Sequence, residues 1–164
     1  LVLLDFLPEP ISRFSEVKPR PVDLWLAEQK DDGAVMRIPF SLNDDQAGTY
    51  YTLYNEKPFI GGFFNAFPPP QYSRISGVMA TFPSQESLAQ AESLGVEYYL
   101  VETDAVRQIL ESGTEGLPWG SVDELLAACE AGGLVRVGTF EDVIVYRLPE
   151  EDCDCEWLKD SLRK

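Results

Sequence analysis

Residues 96–103, VEYYLVET, decide the fold class. Val96, Tyr98, Tyr99, Leu100 and Val101 form a near-continuous apolar run too short for a helix. Such a run is a strand buried on both faces, the kind found in parallel sheets. Its flanks name the neighbouring elements. Upstream, PSQESLAQAESLG (83–95) predicts a helix: Ser84 caps it, Ser87 stands at the third helical position, Leu88, Ala91 and Leu94 form the apolar face, and Gly95 ends it. Downstream, DAVRQILESG (104–113) and SVDELLAACEAGG (121–133) read as helices. LVRVGTF (134–140) and VIVYRL (143–148), separated by Glu141 and Asp142, then read as a closing antiparallel hairpin.

Toward the N-terminus the alternation continues. RPVDLWLAEQKDDG (20–33) predicts an amphipathic helix with Pro21 in its first turn, Val22, Trp25 and Leu26 on one face, and Gly33 as the stop. AVMRIPF (34–40) is a strand closed by Pro39. DDQAGTYYTLYNE (44–56) carries Tyr50, Leu53 and Tyr54 at helical spacing. KPFIGGFF (57–64) is a strand whose glycines mark a bend or close approach, and QYSRISGVMATF (71–82) is a helix. LVLLDF (1–6) fits a buried strand, and residues 7–20 an irregular crossing. The expected architecture is α/β, with a mostly parallel sheet flanked by helices and a C-terminal antiparallel β-hairpin at its edge. One domain over 1–150 and an acidic tail over 151–164 are expected. Because the sequence starts at Leu1 without a methionine, it is read as a piece of a longer protein.

Composition narrows the chemistry. Thirteen basic against 28 acidic residues give a formal net charge of -15, which repels phosphate backbones and anionic headgroups, so no nucleic-acid partner is expected. The absence of histidine removes the commonest general base and the commonest transition-metal ligand. Cys153 and Cys155 form a C-x-C pair without a second pair, a weak metal signal. Unpaired thiols are expected, with a bridge from Cys129 to one of them as the alternative. Neither FIGGFF (59–64) nor ESGTEGLPWGS (111–121) has the strand, loop and helix start of a phosphate cradle. No cofactor, metal or catalytic residue is assigned. A carboxylate pair at strand ends, Asp5 with Glu102 or Asp104, is the one catalytic arrangement the pattern allows.

The constellation that carries both apolar bulk and polar handles is NEKPFIGGFFNAFPPPQY (55–72) with the tyrosines before it. Its candidate ligand-binding residues are Tyr51, Asn55, Lys57, Gly61, Gly62, Asn65, Phe67 and Tyr72, which suit a sugar, a lipid headgroup or a protein face. The aromatics also suit plain core with hydroxyls at its edge. Phe59 and Phe63 are expected in the core. Asn65, Phe67 and Tyr72 are expected on an exposed rim stiffened by Pro68, Pro69 and Pro70.

The order PVDLWLAEQKDDGAVMRIPF (21–40), YYTLYNEKPFIGGFFNAFPPPQY (50–72) and ATFPSQESLAQAESLGVEYYLVET (80–103) resembles the C-terminal region of polytopic bacterial membrane proteins related to GT-C-fold glycosyltransferases. The likeness covers about residues 20–147. It implies a parent with many membrane helices before Leu1 and a domain on the extracytoplasmic face of the membrane. It also implies a lipid-linked sugar donor and a catalytic acidic residue in the membrane part. None of that machinery lies in this chain, so no residue here inherits transferase activity. The resulting expectation is a non-catalytic accessory domain that helps bind acceptor or sugar, or packs on the transmembrane part of its own parent. Its expected partners are that transmembrane part and a glycan or lipid-linked sugar. A stand-alone hydrolase using strand-end carboxylates and a protein-interaction module are the alternatives.

Overall fold

The computed structural model describes residues 18–62, 68–113 and 117–149, with side chains described for these except 42–46. The described elements follow in chain order: α1 (Pro21–Ala27), β1 (Ala34–Ile38), α2 (Leu42–Asn55), β2 (Phe59–Ile60), α3 (Pro70–Met79), α4 (Gln85–Ser93), β3 (Val96–Glu102), α5 (Thr103–Ser112), α6 (Val122–Ala131), β4 (Val135–Phe140) and β5 (Val143–Arg147). The expected strand over 1–6 and the acidic tail lie outside the described residues.

The five strands form one mixed sheet in the order β2-β1-β3-β5-β4. β1 pairs in parallel with β2 and β3, whereas β3–β5 and β5–β4 are antiparallel. This corrects the expectation of a mostly parallel sheet. The hairpin occupies two of the five positions, because β5 inserts beside β3 and pushes β4 to the edge. At the opposite edge β2 contributes only two residues. The helical crossovers that enforce parallel pairing therefore govern half of the ladder and no more.

β3 is buried along both faces, as its apolar run requires. Met36, Ile38, Tyr99, Val101 and Tyr146 face a core closed by residues of α3, α4, α5 and α6, notably Met79, Leu88, Val106 and Leu125. Val35, Tyr98, Leu100, Val143 and Val145 face Val22 and Leu26 of α1. α2 packs on α1 and on β2. The sheet is thus the middle layer of three. A bulge puts Glu97 out of register, since Ala34 faces Val96 while Val35 already faces Tyr98. Gly33 is needed there, because a Cβ on it would stand 2.5 Å from the Glu97 Cβ.

Two helical expectations shift. α1 ends at Ala27 rather than running to Gly33: the Glu28 and Gln29 N–H groups bond three residues back, to the Trp25 and Leu26 carbonyls, and the Gln29 side-chain amide also takes the Trp25 carbonyl. Tyr50 and Leu53, placed on one face of α2 by their spacing, point outward, 52% and 70% exposed.

Candidate functional site

Ligands of open α/β sheets gather at the carboxyl ends of parallel strands, where successive crossovers diverge to opposite faces. Here that place is the end of β1 and β3. The crossover after β1 enters α2, on the α1 side of the sheet, while the crossover after β3 enters α5, on the other.

On the α1 side the divergence is filled by a buried charge network. Arg37, alternating with Val35 and so aimed at α1, donates from Nε to Glu102 Oε1 at 2.6 Å and from Nη2 to Glu102 Oε2. Arg20, at the N-cap of α1, donates from Nη1 to the same Glu102 Oε1 at 2.7 Å. Its Nε and Nη2 reach the Asp23 carboxylate at 2.9 and 3.1 Å, and its backbone N–H donates to Asp23 Oδ2 at 3.0 Å. Burial disfavours the Arg20 cation, but the carboxylates of Asp23 and Glu102 outweigh that and raise its pKa. The guanidinium also lies 3.8 Å from the centroid of the Tyr51 ring, a cation–π contact. Among the described residues two cations meet two carboxylates in this site, and Asp23, Arg37 and Glu102 are buried.

A second network sits at the opposite, amino ends of the strands. Buried Lys57 donates from Nζ to the Gln29 carbonyl and to Asp31 Oδ1, both at 3.0 Å, and to the Asp31 carbonyl. The Tyr98 hydroxyl donates to Asp31 Oδ2. Burial alone would raise the Asp31 pKa, yet the Tyr98 and Lys57 bonds lower it overall. Arg147 pairs with Glu97 at 2.9 Å and stacks 5.0 Å from the Tyr98 centroid. An open cleft of about 520 Å³ adjoins, with Asp31, Glu92, Glu97 and Arg147 in its walls.

The structure divides the sequence-derived candidates. Tyr51 is half-buried beneath Arg20. Asn55 and Lys57 are buried, Asn55 accepting the Lys57 N–H at 3.0 Å through Oδ1 and lying 3.5 Å from Asp23 through Nδ2. Asn55 faces the first network and the Lys57 ammonium the second, although two residues separate them. Gly61 and Gly62 follow β2 directly, at the carboxyl edge of the sheet. Asn65 and Phe67, with Phe63, lie outside the described residues. Tyr72 departs from its expected exposed rim: it is buried and stacks on Phe40 with centroids 5.2 Å apart, because α3 starts at Pro70 and turns it inward. Phe59 is half-buried against Gly48 of α2.

Of the strand-end carboxylates, Glu102 is engaged by both arginines, Asp104 is exposed and paired with Arg107, and Asp5 lies outside the described residues. Among the described residues no group of three His, Cys, Asp or Glu side chains is placed to hold a metal ion. Cys129 is buried and unbridged, and burial, with Glu130 nearby, pushes its thiol up to about 12. Sequence reasoning passed over Arg20, Asp23 and Arg37. The signal for Arg37 was legible: an arginine inside the apolar strand AVMRI must find a carboxylate once buried.

The other face of the same carboxyl edge is lined mainly by apolar side chains among the described residues. A cavity of about 220 Å³ opens there between the end of β1, α3, α5 and the segment before α6. No protein-family model, curated protein or solved structure matches this chain.

Proposed function

We propose that this chain is a non-catalytic accessory domain of a GT-C-like membrane glycosyltransferase. In this reading it lies on the extracytoplasmic face and contributes to acceptor or sugar binding or packs on the transmembrane part of its own parent. The supporting observation is the outward apolar surface of the α1–α2 layer. Leu24 is 53% exposed on α1, and Tyr50 and Leu53 are more than half exposed on α2. Below that surface both carboxylate oxygens of Glu102 accept hydrogen bonds from arginines, which suits a structural role. Three exposed large apolar side chains on two helices that pack together suit a contact surface. No described helix is long and apolar enough to cross a membrane, so in this reading the bilayer contact belongs to the parent's other segments.

The test uses the full-length parent and the 164-residue chain side by side. Leu53→Asp should leave the melting of the chain within about 0.5 kcal/mol of wild type. In the parent it should lower glycosyl transfer or the yield of assembled protein. The chain alone should neither transfer nor hydrolyse lipid-linked or nucleotide-linked sugars. Turnover by the chain alone that disappears in Glu102→Gln would replace this reading with the hydrolase. Full activity of the Leu53→Asp parent would remove the surface from it.

A further inference from the structure

We infer that the cavity at the carboxyl end of β1 is a binding site for a small uncharged group, one six-membered ring or a branched aliphatic tail of similar bulk. The inference is independent of the membrane reading, since it concerns the opposite face of the sheet.

Size, charge and rigidity define the ligand. An apolar cavity of about 150 Å³ holds a benzene molecule, so 220 Å³ accepts a single ring with a short substituent and excludes a dinucleotide. None of the ten described residues that line it is charged, in a chain with 28 acidic and 13 basic residues. An ionic ligand would lose its hydration there without a counter-charge. The floor is Ile38, Pro39, Met79 and Trp119, all buried, while Ile109 and Leu117 are half-buried at the rim, so the cavity opens to solvent. Ser76 in the lining admits one neutral polar substituent.

Two aromatic walls are fixed from behind. The Trp119 indole N–H donates to the Phe82 carbonyl at 2.7 Å, which locks the ring, and Phe40 is backed by buried Tyr72. One wall is thus held by a hydrogen bond and the other by ring stacking, so the space is preorganised and a ligand need not order it. The position agrees with the divergence of the β1 and β3 crossovers.

Methyl NMR of the 164-residue chain titrated with toluene tests this. Saturable shifts are expected at Ile38, Met79, Ile109 and Leu117, with a Kd of about 1 mM or tighter, and none at Leu53. Cyclohexanol should bind comparably, and benzoate at least about tenfold more weakly, reflecting the missing counter-charge. Ile109→Trp should fill the space and abolish the shifts at Ile38 and Met79. If that variant does not fold, Ser76→Phe in the lining decides the same question. Shifts that do not saturate or that extend to Leu53 would overturn the site, as would unchanged toluene binding in a folded, filled variant. Benzoate binding as tightly as toluene would overturn the ligand class.

Discussion

Tyr99 shows how one atom sets a measurable property. Its ring is fully buried beside Phe82, with centroids 5.6 Å apart, and its hydroxyl has no hydrogen-bond partner among the described residues. A buried hydroxyl without a partner loses its water and gains nothing in exchange. Tyr99→Phe should therefore raise stability, by about 1 kcal/mol, in urea titrations at neutral pH. Burial, with a smaller contribution from Glu92, also pushes the Tyr99 pKa up from 10.0 to about 12. The folded state thus keeps a proton that the unfolded chain releases above pH 10. Below pH 10 the shift costs the folded state nothing, and stability falls as pH rises from 10 through 12, by roughly 2 to 3 kcal/mol in all. Urea midpoints measured from pH 9 to 12 should fall less steeply in Tyr99→Phe than in wild type. Arg37 makes the opposite case, because its loss leaves Glu102 buried with Arg20 alone. Arg37→Ala should cost about 3 to 5 kcal/mol, and a cost below 1 kcal/mol would mean that Arg20 suffices.

Among the elements, the glycines separate propensity from packing. Gly77 lies in α3 with nothing within 4 Å of its would-be Cβ, so Gly77→Ala should stabilise by about 0.5 to 1 kcal/mol. Gly33 precedes β1, where the Glu97 bulge leaves no room. Gly33→Ala should destabilise by roughly 1 to 3 kcal/mol, the usual effect of overpacking. Thermal melts of the two variants should move in opposite directions, and equal shifts would show that the bulge yields. At α4 the cap is local: Ser84 Oγ accepts the Ser87 N–H at 3.2 Å, so Ser84→Ala should cost about 1 kcal/mol.

Over the whole molecule, the sheet couples two cores. Tyr98 and Leu100 face α1 while Tyr99 and Val101 face the α3–α6 layer, so neither core can dissolve without exposing the back of β3. A single cooperative transition is expected, with near-ultraviolet and far-ultraviolet circular dichroism melting together. Val22→Ala and Val106→Ala, one in each core, should both lower the same midpoint. Two resolved transitions would show that the α1–α2 layer unfolds on its own.

Much of this was written in local sequence. The helix of Gln85–Ser93 announced itself through Ser84 and Gly95, β3 through its apolar run, and the closing hairpin through two strands around Glu141 and Asp142. These depend on contacts within a few residues, where side-chain type and spacing fix the backbone. The candidate site was less legible. Asn55 and Lys57 were picked as neighbours, yet the fold turns them to different networks. Tyr72 suited a rim until α3 carried it onto Phe40. Whether an aromatic faces the core or solvent depends on which element packs against it, as outward Tyr50 and inward Tyr72 show. Sheet order was decided last of all, because placing β5 between β3 and β4 is a contest among edges far apart in the chain. The sequence by itself determined where most of the described strands and helices begin, although KPFIGGFF (57–64) pairs only over Phe59–Ile60, and that a buried Arg37 needs a carboxylate. Only the tertiary structure decided that the carboxylate is Glu102, 65 residues away, since ion pairing in a low-dielectric layer depends on distance through space and not along the chain.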